Sequence, residues 1–91
     1  MKQCLNARIQ GRVQGVGFRY YTEMKAKELG ITGWVCNKAD SSVEACICGT
    51  PEQLKAMQQW LKQGPASADV RQADFSASYL PKNCNDFRIR Y

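Results

Sequence analysis

A chain of 91 residues builds one hydrophobic core and leaves nothing for a second, so residues 1–91 are read as a single domain. Hydrophobic residues at 44% and charged residues at 23% exclude a disordered or collagen-like chain. Thirteen basic residues against eight acidic ones leave a net charge of +5, which favours anionic ligands without choosing between nucleic acid and small phosphates.

In chain order, Met1 to Gln10 carries none of the apolar run of an export leader, and no later apolar run is long enough to cross a bilayer. The expectation is a cytoplasmic protein with no membrane partner. Leu5, Ala7 and Ile9 alternate with Asn6, Arg8 and Gln10, the period of a half-buried strand. A glycine-rich stretch follows. Phe18, Thr22, Ala26 and Leu29 then fall at helical spacing, and Gly30 stands where a left-handed residue ends a helix.

"ITGWVCN" and "SSVEACICG", separated by the polar turn "KADS", predict a hairpin. In its second strand Val43, Ala45 and Ile47 share one face, and Glu44, Cys46 and Cys48 the other. "TPEQ" opens a second helix: Thr50 caps it, Pro51 suits its first turn, and Gln53 completes a capping box. Leu54, Met57 and Leu61 form its buried stripe with Trp60 at the margin, and Gly64–Pro65 stops it. Val70 to Tyr79 is a further strand with Ala73, Phe75 and Ala77 on one face. "LPKNCND" is a loop, and Phe87, Ile89 and Tyr91 alternate along a short last strand. The order β-α-β-β-α-β plus a short C-terminal strand predicts an α+β fold, the ferredoxin-like sandwich, with an antiparallel sheet and two helices on one face.

Five cysteines stand at positions 4, 36, 46, 48 and 84, with no C-x-x-C pair and no histidine in the chain. No metal site and no cofactor are expected. The usual acid or base for neutral pH is missing as well. The first strand and the second hairpin strand are antiparallel neighbours in this fold, which puts Cys4 near Cys48; a Cys4–Cys48 disulfide fits that geometry, and a reducing cytoplasm opposes it.

The stretch "GRVQGVGFR" from Gly11 to Arg19 is the main candidate site. Gly11, Gly15 and Gly17 admit positive φ and close approach of backbone to ligand. The helix that follows aims its unpaired N–H groups at the same space, which makes an anion cradle. A Gly-Lys-Ser/Thr ending is absent, and Tyr20 stands where a third dinucleotide-loop glycine would be, so neither common phosphate loop matches. Arg19, in the first helical turn, opposes the helix dipole unless an anion accompanies it.

"GRVQGVGFR" resembles the signature of the acylphosphatase family, and "GITGWVCN", Gly30 to Asn37, resembles that family's second motif. With the element order and the ending "FRIRY", the resemblance covers essentially the whole chain. It implies a metal-independent hydrolase that splits the carboxyl-phosphate bond of acyl phosphates. It also implies that Arg19 binds phosphate with the amides of Gln14, Gly15, Val16, Gly17 and Phe18, that Asn37 orients the attacking water, and that the Tyr91 carboxylate lies near Arg19. Composition alone would read Asn37 as a turn residue. Cys36 and Lys38 beside it are less familiar choices for the family.

The chemistry agrees with the residue types. A carboxylate leaves without a proton, whereas an alcohol leaving from a phosphomonoester needs an acid or a metal. Asn37 takes no proton but holds a water in line with phosphorus, which leaves a phosphoryl oxygen of the substrate as the simplest base. The implied partners are a small acyl phosphate and inorganic phosphate or sulfate as a product-like ligand, with a monomer expected. Two alternatives remain. The same motif opens larger carbamoyl-transfer maturation proteins, so a non-catalytic phosphate or carbamoyl-phosphate binding module is one, although the chain ends at Tyr91 with no partner domain. An RNA-binding ferredoxin-like domain is the other, and the missing aromatic pattern on the central strands argues against nucleic acid.

Overall fold

The computed structural model describes residues 2–79 and 85–90. Its elements are β1 (Gln3–Arg12), α1 (Phe18–Leu29), β2 (Thr32–Asn37), β3 (Val43–Gly49), α2 (Pro51–Gln63), β4 (Asp69–Ser78) and β5 (Phe87–Arg90). They form a five-stranded sheet in the order β4-β1-β3-β2-β5, the ferredoxin-like α+β arrangement. The four strands from β4 to β2 pair antiparallel, as expected. β5 pairs parallel with β2, so the sheet is mixed rather than wholly antiparallel. The reason is topological: β4 and β5 occupy opposite edges, and a chain that returns across the sheet from the end where β4 leaves it must run with β2. The predicted loop 80–86 lies outside the described residues apart from Asn85 and Asp86.

Periodicity explains which residues meet in the core. Ala7 and Ile9 of β1, Val35 of β2 and Val43, Ala45 and Ile47 of β3 point to the helical face, where Phe18 and Ala26 of α1 and Leu54, Met57 and Leu61 of α2 are buried against them. Thr22 is the polar member of the buried α1 face, and its hydroxyl donates to the Phe18 carbonyl at 2.7 Å, so no hydroxyl is stranded there.

The helix ends are chemically specified. Thr50 Oγ1 accepts from the Gln53 amide at 3.2 Å while Gln53 Oε1 accepts from the Thr50 amide at 2.8 Å, the reciprocal capping box the residues predict. Gln53 Nε2 also donates to the Leu29 carbonyl at 2.9 Å. One side chain therefore starts α2 and ties it to the end of α1.

The opposite sheet face has a small core of its own. Cys4, Cys46 and Cys48 are buried there under Trp34, and the Arg90 guanidinium lies 4.8 Å over the Trp34 ring, within cation–π range. Cys4 and Cys48 face each other across β1 and β3 and are joined by a disulfide. Among the described residues no helix is long and apolar enough to cross a membrane.

Met57 sits fully buried between α2 and the sheet, whereas Lys55 on the same helix is exposed. Met57→Ala is expected to cost about 2–5 kcal/mol of stability by urea denaturation, and Lys55→Ala to stay within about 0.5 kcal/mol.

Candidate functional site

The site grows from the junction of β1 and α1. Val13 leaves the strand and is buried, which pins the start of the loop to the core. The chain then turns through left-handed conformations at Gly15, with φ 74°, and Gly17, with φ 77°, values that side chains other than glycine rarely adopt. Gly17 is the N-cap of α1 and supplies no side-chain cap, and the first turn of the helix contains no acid. The first helical amides, which have no partners within the helix, thus face the loop with no acid of their own first turn against their dipole. Arg19 is the second residue of this helix.

Register brings Asn37 to the same place. Val43 pairs with Ile9 on one side and Asn37 on the other, so the last residue of β2 stands two strand spacings, roughly 10 Å, from β1 at the end where the glycine loop begins. The turn after Asn37 is tightly organised. The Lys38 amide donates to the Ser42 carbonyl at 2.8 Å, and Asp40 Oδ1 accepts from the Ser42 amide at 3.0 Å and the Ser42 hydroxyl at 2.5 Å. Arg8 forms an ion pair with Asp40 Oδ2. The Ser42 hydroxyl, then the Ser42 amide and the charge of Arg8, hold the Asp40 carboxyl below its usual value.

Loop and turn are stitched together by Gln14. Its Nε2 donates to the carbonyls of Lys38 and Ser42, each at 2.8 Å. On the far side of the loop the Ser67 hydroxyl donates to the Val16 carbonyl at 2.8 Å, while the Val16 side chain packs against the core. The loop is therefore held from two directions before any ligand arrives.

Between these parts lies a pocket of about 280 Å³. Arg19 and Asn37 share its wall with Gly15, Gly17 and Phe18, all singled out by sequence, and with Val13, Tyr20 and Ile89, which were not. Gln14 and Val16, also expected in the cradle, belong to the loop but not to the pocket wall. Their visible roles are the stitch to the turn and the anchor to the core. A glutamine amide has two N–H donors, which is the one signal by which its bridging role could have been suspected. Ile89 enters because β5 lies beside β2. Tyr91 lies outside the described residues. Cys4 and Cys48 sit at the other end of β1 and β3 from the loop.

In chemical terms the wall joins a guanidinium, backbone amides at a helix N-terminus and a neutral carboxamide. Among the described residues it includes no carboxylate and no thiol. Such a set suits a tetrahedral anion and a hydrogen-bonded water rather than proton transfer near neutral pH. The cluster of metal-ligand atoms present among the described residues, Cys4, Cys46 and Cys48, is away from this pocket, and two of its sulfurs are bonded to each other.

Comparison with known proteins places this geometry. A family model described as Acylphosphatase matches residues 5–89. An acylphosphatase of Vibrio cholerae is 43% identical over 88 residues, covering 97% of each chain. The crystal structure of the acylphosphatase from Bacillus subtilis superposes with a TM-score of 0.92 at 32% identity over the whole of both chains. Full-length HypF, in a phosphate- and nucleotide-bound crystal form, matches all of this chain with a TM-score of 0.91 at 25% identity, within 12% of its own length.

The Asp40 turn gives the site's frame a pH dependence. Its folded pKa is depressed from 3.8, so the stabilisation is complete above the unfolded value and is lost as pH falls through the folded one. Wild type is expected to be more stable than Asp40→Asn at about pH 5 and to lose that margin by about pH 2, as read from urea midpoints at the two pH values.

Proposed function

The chain belongs to the acylphosphatase family, and on that premise we propose how its own residues hydrolyse the carboxyl-phosphate bond of a small acyl phosphate. The amides of Gln14, Gly15, Val16, Gly17 and Phe18 and the Arg19 guanidinium take the phosphoryl oxygens. Asn37 holds a water in line with phosphorus. As the water oxygen bonds to phosphorus, the phosphorus–oxygen bond to the acyl group breaks and its electron pair leaves on the carboxylate. The water proton passes to a phosphoryl oxygen, and inorganic phosphate is released.

The observation that carries this reading is that Arg19 and Asn37 share one pocket wall with the glycine loop, although they come from different elements. The rate then rests on positioning and on charge stabilisation by groups already in place. No metal is required, because the leaving carboxylate is stable as an anion without a proton or a Lewis acid. A pocket of this size suits a small molecule. Of the surface cations, Arg8, Arg71 and Arg88 are paired with carboxylates, which breaks up any continuous stripe that would suit nucleic acid. The reading is of a cytoplasmic monomer acting on a diffusible substrate, with neither nucleic acid nor membrane as partner.

The test is hydrolysis of benzoyl phosphate with inorganic phosphate as inhibitor. Arg19→Ala is expected to raise the phosphate inhibition constant by about tenfold or more and to lower turnover by about a hundredfold or more. Asn37→Ala is expected to lose about a hundredfold in kcat while phosphate inhibition stays within about twofold. Retained hydrolysis in both variants would remove these residues from the mechanism, and phosphate binding without turnover in the wild type would make the domain a binding module.

With a substrate oxygen as the base, kcat is expected to vary by less than about threefold between pH 6 and 8. A bell-shaped profile with a limb near 7 that one carboxylate substitution abolishes would assign the proton to the enzyme instead.

A further inference from the structure

The mechanism above uses the phosphoryl end of the substrate and leaves the acyl end unassigned. In-line displacement puts the acyl group on the side of phosphorus away from the water held by Asn37. The rest of the pocket wall comes from the glycine loop, α1 and Ile89. Of its larger apolar members, Val13 and Phe18 are buried in the core and Ile89 is half-buried, whereas Tyr20 is 56% exposed.

Tyr20 does not stand alone. Tyr21 beside it is 44% exposed, and the two rings meet edge to face with centroids 5.3 Å apart and planes at 68°, a favourable aromatic geometry. The Tyr21 ring lies back over the loop, since a Cβ placed on Gly17 would come within 3.3 Å of its Cε2. Beyond it the apolar surface continues into a groove bordered by Met24 and Trp60, with Met24 half exposed. The Tyr20 ring thus lies partly exposed in the wall of the pocket, with Tyr21 packed edge to face beside it.

Resting on the acylphosphatase reading, we infer that Tyr20, braced by Tyr21, forms a shelf for the acyl group and that the enzyme selects acyl phosphates with an apolar, ring-sized acyl group over small ones. The phosphoryl end would fix the substrate in the loop, and a planar or branched hydrocarbon group would extend over the exposed Tyr20 face. An acetyl group is too short to cover that face.

The experiment compares kcat/KM for benzoyl phosphate and acetyl phosphate in wild type, Tyr20→Ala, Tyr20→Gln and Tyr20→Phe. In both the alanine and the glutamine variant the benzoyl-to-acetyl ratio is expected to fall about five- to tenfold, mainly through KM for benzoyl phosphate. Tyr20→Gln keeps good helix propensity while dropping the ring, so it reads the same quantity if the alanine variant folds poorly. Tyr20→Phe keeps the ring face and is expected to hold the ratio within about twofold. A ratio unmoved in the ring-less variants while turnover persists overturns the shelf alone, as does a fall in Tyr20→Phe equal to that in Tyr20→Ala, which would assign the effect to the hydroxyl. Cleavage of neither substrate by wild type overturns the hydrolase reading and the shelf with it.

Discussion

Val43 pairs with Ile9 on one side and Asn37 on the other, and on this shared register the site depends. It sets the end of β2 beside the end of β1, so a loop from one strand and a carboxamide from another open onto one pocket. A slip of one residue in either pairing would turn every side chain of the displaced strand to the opposite face. Ile9 would leave the core with a displaced β1, Ala45 with a displaced β3 or Val35 with a displaced β2, so burial of the inner face and placement of Asn37 are held by the same register. Gln14 converts that placement into a fixed spacing by bonding two carbonyls of the turn that follows Asn37.

On this frame the electrostatics are simple. A helix that begins with a bare glycine cap and an arginine, with no acid in its first turn, gathers positive potential at the pocket, where the positive end of the dipole meets a positive side chain. In the proposed reaction a phosphoryl group takes both. In that reaction the same arrangement favours an anion, and the pocket wall holds no carboxylate, thiol or imidazole among the described residues. Chemistry that needs a proton donated to the leaving group is poorly served here, whereas a carboxylate leaving group fits.

Much of this was legible in particular residues. Thr50, Pro51 and Gln53 announced the start of α2 because a capping box is local chemistry, and the alternation of Leu5, Ala7 and Ile9 announced β1 because one sheet face is buried. Gly15, Gly17 and Arg19 marked the loop, since three features of the chain that oppose ordinary packing coincide there. What could not be read were facts that depend on elements distant in sequence. The parallel pairing of β5 with β2, and with it the presence of Ile89 in the pocket wall, follows from which sheet edge remains open. Gln14 and Val16 read as cradle residues by their amides, but the bridge made by the Gln14 side chain shows only once the turn lies against it, and the core packing of the Val16 side chain only in the folded chain. The outward cysteines of β3 are buried in a cluster with Cys4 against which Trp34 packs, a neighbour that the alternation of β3 alone does not show.

The two ends of the sheet carry different burdens. Cys4 and Cys48 are linked at one end, and the loop, Arg19 and Asn37 all lie in the 44-residue separation that the disulfide spans. Closing a loop of that length restricts the unfolded chain by about 4 kcal/mol in the entropic account, so the restriction falls on the very segment that must assemble the site. Yet neither cysteine of the link is among the described residues that line the pocket: the loop is tied by the bonds of Gln14 to the turn and of Ser67 to Val16, together with the β1–β3–β2 register. Reduction of the disulfide should therefore lower the stability of the whole domain without moving Arg19 relative to Asn37. The covalent link and the site stand at opposite ends of the same strands, and the backbone pairing between them separates a change in the link from the geometry of the site.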